Sequence, residues 1–374
     1  MQLDTLVTPA CLIDEKKFSA NAVRMQEHVN GQGTAFRPHV KTLKSLQAAR
    51  YYAPLDMPVT VSTLAEAQYF AAAGYTDILY AVTLTPNKLE AVASLLSQGV
   101  RLTVLIDSLE ACHMLLAKWG RNYVLPVAIE VDVDDHRAGI NPESDTLTDI
   151  ARQLEANANL EFAGVVAHAG ASYGCFTRQA RKAMAEQEVS RIQLATSQLT
   201  KAGIACKMVS IGSTPTALED VPRDGITELR AGVYATFDCV MAGLGVCSVD
   251  DIAMSVLTTV IGIQPEKGQV LIDAGWMALS RDKGTSSHDK DCGYGLVCDE
   301  NGNLLDGWRV SQTNQEHGII SHLTEKHAKP NDFYYGQRLR ILPVHACATA
   351  AQFSDYHVVK NNEVTETWAR INGW

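Results

Sequence analysis

Residues 161–212 decide the fold, because they contain a complete β–α–β pattern. The runs EFAGVVAH (161–168) and CKMVSIG (206–212) are almost continuously apolar, which is typical of parallel strands that are covered on both faces. Between them, RQARKAMAEQEVSRIQLATSQLTKAG (178–203) has apolar residues at three- to four-residue steps, and Gly203 stands where a C-cap is expected. The stretch therefore predicts two parallel strands joined by a helix.

The same alternation extends over the chain up to about residue 245. The other strand-like runs are TAFRPHVK (34–41), PVTVST (58–63), DILYAV (77–82), RLTVLID (101–107), PVAIEVDV (126–133) and ELRAGVYA (228–235). Eight β–α units in about 210 residues fit an α/β fold of the (β/α)8 TIM barrel type. An open doubly wound sheet has the same element order and is the alternative. We expect the barrel domain to cover residues 10–245.

The alternation of strand-like and helical segments ends at about residue 245, and a mostly β domain is expected over residues 246–374. SVLTTVIGIQ (255–264) and QVLIDAG (269–275) flank a short turn and predict an antiparallel pair. LVCDENGNLLD (296–306) is a second hairpin candidate, and RLRILPVHA (338–346) predicts a further strand. The early run ACLID (10–14) precedes the barrel strands, so an N-terminal strand within residues 1–14 is expected to join this second domain.

Composition excludes several classes of protein. The 374 residues are 46% hydrophobic and carry a formal net charge of −10, which disfavours nucleic acid or an anionic membrane as the main partner. The sequence has no apolar run long enough to span a membrane and no signal-peptide pattern at its start. Nine cysteines without a CxxC pair predict reduced thiols and a cytoplasmic location.

The ends of the barrel strands contain the first candidates for chemistry, since active sites of such barrels lie there. Lys41 follows the first barrel strand and fits a desolvated nucleophile that forms a Schiff base with an aldehyde. A lysine that reaches out to solvent is the alternative. After the seventh strand, Gly212, Ser213 and Thr214 fit a phosphate-binding loop, with a simple helix N-cap as the alternative. Gly232 and Tyr234 follow on the eighth strand.

An imine-forming lysine beside a phosphate-binding loop points to pyridoxal phosphate. Arg137, after the fifth strand, is a candidate to face the cofactor ring or a carboxylate, and a surface salt bridge is the alternative. His168, after the sixth strand, fits ring stacking or acid–base chemistry, and a buried structural histidine is the alternative.

A separate candidate site, for a metal ion, lies near the C-terminus. On a strand, His345 and Cys347 share a face, so both side chains can reach one ion. Imidazole and thiolate suit Zn²⁺, and two protein ligands leave positions open for substrate and water.

Together, six motifs resemble the D-serine dehydratase and D-threonine aldolase family, fold-type III pyridoxal phosphate enzymes with an alanine racemase-like barrel. The motifs, in chain order, are TPACLID (8–14), RPHVKT (37–42), HAGASY (168–173), GSTPT (212–216), ELRAGVY (228–234) and HACAT (345–349). The resemblance extends over nearly the whole chain.

The resemblance implies that Lys41 carries pyridoxal phosphate and that His345 and Cys347 bind a divalent metal. That metal would contact the substrate's β-hydroxyl and carboxylate groups. Residues expected around the phosphate are Gly212, Ser213, Thr214, Gly232 and Tyr234. Arg137 and Tyr173 are candidates to face the pyridine nitrogen. A homodimer is the expected assembly, and the C-terminal domain would reach the barrel mouth of its own or of the partner subunit.

The metal motif separates two activities within the family. The resemblance associates His-x-Cys with zinc and D-serine dehydratases, and His-x-Asp with Mn²⁺ or Mg²⁺ and aldolases. We therefore expect a dehydratase that gives an α-keto acid and ammonia, with Lys41 removing the α-proton and zinc assisting the departure of hydroxide. The alternatives are an aldolase that gives glycine and an aldehyde, with His168 as a base, a D-3-hydroxyaspartate-specific enzyme, a racemase, and a protein that only binds pyridoxal phosphate.

Overall fold

The computed structural model describes residues 3–324 and 332–374. The chain divides into two compact units. The barrel unit consists of Arg24–Gly232 and Ile371–Trp374. The β unit consists of the described residues of Met1–Val23 and Val233–Arg370.

The barrel unit is an eight-stranded parallel sheet that closes almost completely. Its strands stand in the order β2-β9-β8-β7-β6-β5-β4-β3. At the open seam His39 bridges to Thr60, and the Val40 N–H donates to the Thr60 carbonyl over 3.0 Å. The strands are β2 (Ala35–Pro38), β3 (Val59–Val61), β4 (Asp77–Thr83), β5 (Arg101–Ile106), β6 (Leu125–Glu130), β7 (Leu160–Val166), β8 (Met208–Ile211) and β9 (Glu228–Ala231). The TIM-like barrel is therefore confirmed, and the open doubly wound sheet is excluded.

Helices connect successive barrel strands, and side-chain caps mark where several of them begin. Ser45, Thr63, Ser108 and Thr177 each accept a hydrogen bond from a backbone N–H in the first turn of the following helix. The helices are α1 (Glu15–Gly31), α2 (Leu46–Ala49), α3 (Leu64–Ala72), α4 (Leu89–Ser97), α5 (Leu109–Lys118), α6 (Thr146–Glu155), α7 (Arg178–Lys201) and α8 (Thr214–Ala217).

A buried polar layer connects several barrel strands. The Arg37 side chain on β2 donates through Nε to Glu228 on β9 at 2.9 Å and through Nη1 to Asp77 on β4 at 2.7 Å. Glu228 also accepts from the Ser210 hydroxyl at 2.6 Å, and Arg230 donates to the same hydroxyl oxygen at 2.6 Å. Because each buried charge has a partner, the layer holds these strands in one register.

The β unit contains a nine-stranded sheet in the described residues. The strand order is β11-β14-β13-β12-β15-β10-β1-β16-β17. Its strands are β1 (Ala10–Asp14), β10 (Met254–Gln264), β11 (Gln269–Ile272), β12 (Leu296–Asp299), β13 (Leu304–Thr313), β14 (Gly318–His322), β15 (Arg338–Leu342), β16 (Asp355–Lys360) and β17 (Glu363–Ala369). Its helices are α9 (Cys239–Gly243), α10 (Trp276–Leu279) and α11 (Ala346–Ala350). The sheet confirms the predicted mostly β architecture.

Both predicted hairpins of the β unit are present. β10 pairs with β11 and β12 pairs with β13, each pair antiparallel. The N-terminal strand β1 pairs antiparallel with β10 and parallel with β16. The strand predicted over residues 338–346 is wrong beyond Leu342, because the alanine-rich segment Ala346–Ala350 forms the helix α11.

Two further observations concern the whole described chain. None of the helices in residues 3–324 and 332–374 is both long and apolar enough to cross a membrane. All nine cysteines are free thiols.

Candidate active site

Lys41 lies just beyond the end of β2, in the barrel unit, where its side chain is partly buried. Gly232, directly after β9, faces this lysine. A Cβ atom at Gly232 would lie 3.6 Å from the Lys41 Cε and 3.4 Å from the His39 Cβ. The glycine therefore keeps the space beside the lysine open.

His168 follows β7 and is held as a neutral imidazole. Its Nδ1 donates to the Gly212 carbonyl over 2.9 Å, which leaves Nε2 as the unprotonated nitrogen. Burial, together with the positive charges of Lys41 and Arg137, lowers the pKa of His168 to about 3. The structure thus brings His168 and Lys41 into one electrostatic environment.

A second histidine, His39, belongs to the same cluster, although the sequence did not single it out. Its Nε2 lies 3.3 Å from the Ser62 hydroxyl, and its buried Nδ1 has no hydrogen-bond partner in the described part of the chain. Burial and the charges of Lys41 and Arg230 lower the pKa of His39 well below its usual range. The neighbouring positive charges favour an anionic ligand beside the two neutral imidazoles.

The loop after β8 has an unusual backbone conformation. Gly212 has a φ of +131°, and a Cβ atom there would lie 2.2 Å from the Arg230 carbonyl oxygen, so a side chain cannot be accommodated. Ser213 is the N-cap of α8, and its hydroxyl accepts from the Thr216 N–H at 3.3 Å. The Thr214 hydroxyl accepts from the Gly232 N–H at 3.3 Å. The loop and the end of β9 are therefore directly connected.

Glu188 on α7 supports this loop, and the sequence analysis missed it. Its buried carboxylate accepts from the Ala169 N–H at 3.2 Å and from the Gly212 N–H at 3.0 Å. Burial raises the pKa of Glu188. A signal was available in the sequence, because Glu188 stands within the apolar stripe of α7 that contains Ala185 and Ile192. One carboxylate thus fixes the backbone next to His168 and the proposed phosphate loop.

The other predicted cofactor residues lie in different environments. Arg137 is exposed in the loop after β6, and its charge acts on His168 and on Glu130. Tyr173 is 38% exposed, in a 3-10 turn. Tyr234 is fully buried and belongs to the β unit, directly after β9. The structure groups Lys41 with His168 and the loop glycines, while the roles of these three side chains stay predictions.

His345 and Cys347 form a second candidate site, in the β unit. His345 is the N-cap of α11, and Cys347 lies in the first turn of that helix. The Cys347 side chain lies close enough to His345 to favour the positive charge of the imidazole. The Nδ1 of His345 lies 2.6 Å from the Asp282 carboxylate, which was not predicted, because Asp282 lies in an irregular loop. The helix start thus brings together the two side chains that a strand was expected to align.

Carboxylates surround this imidazole. Asp238 accepts from the Ala346 N–H at 2.9 Å and lies close enough to His345 to favour its positive charge. Burial lowers the pKa of His345, but Asp282, Cys347 and Asp238 outweigh burial and raise the pKa to about 11. In the described residues, no group of three or more His, Cys, Asp or Glu side chains could hold a metal. A metal here would have two protein ligands and open positions.

Comparisons with known proteins identify the family of this chain. Residues 13–239 match the alanine racemase N-terminal domain, and residues 253–359 match a putative serine dehydratase domain. D-threo-3-hydroxyaspartate dehydratase from Delftia sp. (strain HT23) is 45% identical over 99% of this chain and 98% of that protein. The chain belongs to the D-serine dehydratase and D-threonine aldolase family.

Further relatives support the same family. D-serine dehydratase from Dictyostelium discoideum is 31% identical over 100% of this chain and 98% of that protein. A solved structure of a cysteine-to-alanine variant of D-threo-3-hydroxyaspartate dehydratase, in the metal-free form, has a TM-score of 0.97 and 44% identity and covers 100% of both chains. The predicted class, a pyridoxal phosphate-dependent lyase with an alanine racemase-like barrel, is confirmed for the family.

Replacing Glu188 tests whether its carboxylate supports the site. We expect Glu188→Leu to lower the free energy of unfolding by about 2–4 kcal/mol, because two buried N–H groups lose their acceptor. Urea denaturation measures this change. The control is Glu186→Leu on the same helix, where the exposed side chain pairs with Lys182. Equal effects of the two substitutions would refute the supporting role of Glu188.

Proposed function

We propose that the protein is a pyridoxal phosphate- and zinc-dependent dehydratase that converts a D-3-hydroxy amino acid to an α-keto acid and ammonia. The observation that carries the proposal is the imidazole–thiol pair of His345 and Cys347, with Asp282 behind the imidazole. The relatives at 45% and 31% identity, both named as dehydratases, support this choice over an aldolase.

The barrel-unit pocket fits pyridoxal phosphate. Lys41 Nζ would hold the cofactor covalently, and Gly212, Ser213, Thr214 and Gly232 would hold its phosphate. Three features support this fit. Gly232 has no side chain beside Lys41, and the buried Nδ1 of His39 has no hydrogen-bond partner in the described residues. Positively charged side chains surround these groups. We assign Tyr234 to the phosphate as well, on the family resemblance alone. When bound, pyridoxal phosphate supplies an electron sink for a carbanion at the substrate's α-carbon.

The side chains around the cofactor would then handle protons. Lys41 Nζ would remove the proton from the substrate's α-carbon. His168 would offer an unprotonated Nε2, because its Nδ1 proton is committed to the Gly212 carbonyl. Arg137 and Tyr173 are the two side chains that we assign to the pyridine side of the cofactor. Arg137 would also add positive charge at this site.

The β-unit pair fits a zinc ion in the chemistry of its donors. Cys347 offers a thiolate, and His345 offers Nε2 while Asp282 holds Nδ1, the arrangement in which a carboxylate orients a metal-binding histidine. Bound Zn²⁺ supplies Lewis acidity for the departure of a β-hydroxyl group.

A product assay tests the proposed reaction. Purified protein with pyridoxal phosphate and Zn²⁺ is offered D-threo-3-hydroxyaspartate, D-serine and D-threonine in separate reactions. We expect a keto acid and equimolar ammonia from at least one of the first two substrates, and loss of turnover with EDTA that Zn²⁺ restores. Glycine and acetaldehyde from D-threonine, without ammonia, would instead establish an aldolase. Activity unchanged by EDTA would refute the metal requirement.

We also propose a cytoplasmic homodimer, on the family resemblance and on the nine free thiols. Light scattering on the purified protein tests the assembly, and a mass of about one chain, 40.6 kDa, would contradict it.

The covalent role of Lys41 predicts a spectroscopic result. Lys41→Ala is expected to lose the yellow colour of the bound cofactor after gel filtration and to lose at least about 10³-fold in turnover, because one group provides both attachment and proton transfer. Absorbance spectra and the ammonia assay measure the two effects. Lys201→Ala, an exposed lysine at the end of α7, is the control. A yellow, active Lys41→Ala variant would overturn the assignment.

The contact between Asp282 and His345 predicts an effect on metal affinity. Asp282→Asn is expected to weaken Zn²⁺ binding by about 10- to 100-fold, the usual effect of removing a carboxylate behind a metal-binding histidine. Competition with a chromogenic chelator measures the affinity without any need for turnover. The control is Asp289→Asn, an exposed residue of the same loop. If both variants bind Zn²⁺ as tightly as the parent protein, Asp282 does not support the metal site.

A further inference from the structure

Lys41 lies in a single closed turn of the barrel unit, and both ends of that turn are attached to neighbouring elements. The Lys44 N–H donates to the Val40 carbonyl over 3.0 Å, which closes the turn around Lys41. At the first end, the Val40 N–H donates to the Thr60 carbonyl of β3 over 3.0 Å. At the second end, the Lys44 ammonium lies 2.9 Å from the Glu66 carboxylate of α3. The lysine proposed to hold the cofactor therefore stands between two fixed points.

The ion pair of Lys44 and Glu66 is buried. The Lys44 side chain is 15% exposed and the Glu66 side chain is 0% exposed. Lysine and glutamate are seldom buried, because two charges taken out of water carry a desolvation penalty that their attraction offsets only in good geometry. A buried ion pair is therefore a poor source of stability, and its place beside the turn is better explained by what it holds in position.

The Glu66 carboxylate also holds the start of α3. Its Oε2 accepts from the Ser62 N–H at 3.2 Å, and its Oε1 accepts from the Thr63 hydroxyl at 3.1 Å. Thr63 is the N-cap of α3, and its hydroxyl oxygen accepts from the Glu66 N–H at 3.1 Å. A helix cap accounts for these contacts with Ser62 and Thr63. It does not account for the ion pair, because Lys44 follows β2 and not β3.

The ion pair crosses the open seam of the barrel, between the segments that follow β2 and β3. The described chain has one isolated bridge at this seam, between His39 and Thr60, in place of a continuous ladder. The Ser62 hydroxyl lies 3.3 Å from the His39 Nε2 and adds a side-chain contact there. Because few backbone hydrogen bonds join the two segments, side chains must fix their separation. The pair of Lys44 and Glu66 does so three residues after Lys41.

The backbone of Lys44 is itself strained. Its φ is +48°, in the left-handed region that residues with a side chain adopt infrequently. The next residue, Ser45, is the N-cap of α2, so the chain changes direction between the turn and this helix. The Lys44 carbonyl accepts from the Ile371 N–H at 3.0 Å. This hydrogen bond and the ion pair hold Lys44 in its unfavourable conformation.

We propose that Lys44 and Glu66 are positioning residues, which hold the turn of Lys41 against β3 so that the Lys41 amine meets the aldehyde of pyridoxal phosphate in one geometry. Attachment joins the lysine nitrogen to the aldehyde carbon and releases one water. A displacement of about 1 Å can slow such a positioned reaction about 100-fold. This inference rests on the proposed role of Lys41. Because Glu66 engages the Lys44 ammonium, Lys41 is the lysine of this turn that is left for the cofactor.

Removing both charges of the ion pair separates positioning from stability. Lys44→Met and Glu66→Gln each leave one buried charge without its partner, whereas the double variant removes both charges. We expect each single variant to lower the urea midpoint by about 1 M or more, and the double variant to recover at least about half of that loss. The control is the exposed pair on α7, where Lys182→Met with Glu186→Gln is expected to leave the midpoint unchanged.

The rate of cofactor attachment then distinguishes positioning from a merely structural role. Full-length protein is freed of cofactor with hydroxylamine, pyridoxal phosphate is added back, and the visible absorbance is followed. We expect attachment to the double variant to be about 10- to 100-fold slower than to the parent protein and the control. Attachment at the parent rate would refute the proposal.

A conservative variant decides the question if the double variant does not fold. Glu66→Asp keeps both charges but withdraws the carboxylate by about 1.5 Å, the length of one carbon–carbon bond. A positioning role predicts attachment at least about tenfold slower in this variant. If Glu66→Asp attaches the cofactor as fast as the parent protein, the pair serves only to neutralise its own charges and the proposal is wrong.

Two further measurements separate this inference from the proposed role of Lys41. Borohydride reduction and peptide mapping of the parent protein show which lysine carries the cofactor, and a mark on a residue other than Lys41 would count against the proposed function. Hydrogen exchange needs no cofactor. We expect peptides covering residues 38–46 to exchange at least about tenfold faster in the double variant and in Glu66→Asp than in the parent, with unchanged exchange in α7. Equal exchange over residues 38–46 in all three proteins would overturn the positioning role, wherever the cofactor attaches.

Discussion

The buried charge of Arg37, four residues before Lys41, is the constraint on which the barrel unit depends. An unpaired guanidinium inside a barrel would destabilise the fold by about 3–5 kcal/mol. Arg37 avoids this penalty because its side chain donates hydrogen bonds to Glu228 and Asp77. A shift of β2 by one residue would turn this side chain to the other face of the sheet. The ion pairs therefore fix the register of β2 against β9, and with it the approach of Lys41 to Gly232.

Burial and turn chemistry explain which parts of the fold could be predicted from the sequence. The barrel strands were recognisable because both of their faces are covered, so that runs such as PVAIEVDV are almost continuously apolar. The hairpin at Asn301 and Gly302 was recognisable from its turn residues. The segment after Leu342 was not, because HACAT alternates as a strand would, while its alanines favour a helix once Asp238 accepts from the Ala346 N–H.

The candidate site shows where sequence reasoning ends. Residues within a motif, such as Lys41 and Gly212, were accessible because their types and their positions after strands already suggest chemistry. Glu188 and Asp282 act from a helix and from an irregular segment far along the chain, and their partners are backbone N–H groups or a histidine that only folding brings near. A charge within the apolar stripe of α7 marks Glu188 as unusual, but no spacing rule identifies the partners of Glu188 or Asp282, so these contacts become visible only in three dimensions.

The two candidate sites have opposite electrostatic character, and this difference agrees with the ligands proposed for them. In the barrel unit, burial first and neighbouring cations second lower the pKa of His39 and of His168, and an anionic phosphate would offset the positive charge of those cations. In the β unit, Asp282 and Asp238 favour a positive charge on His345 strongly enough to overcome the penalty of burial. A proton and a divalent metal compete for that imidazole, and the carboxylates stabilise either of them. A divalent metal bound at the proposed site would also neutralise the adjacent Cys347 thiolate, so it would satisfy both side chains at once, whereas one proton satisfies only one of them.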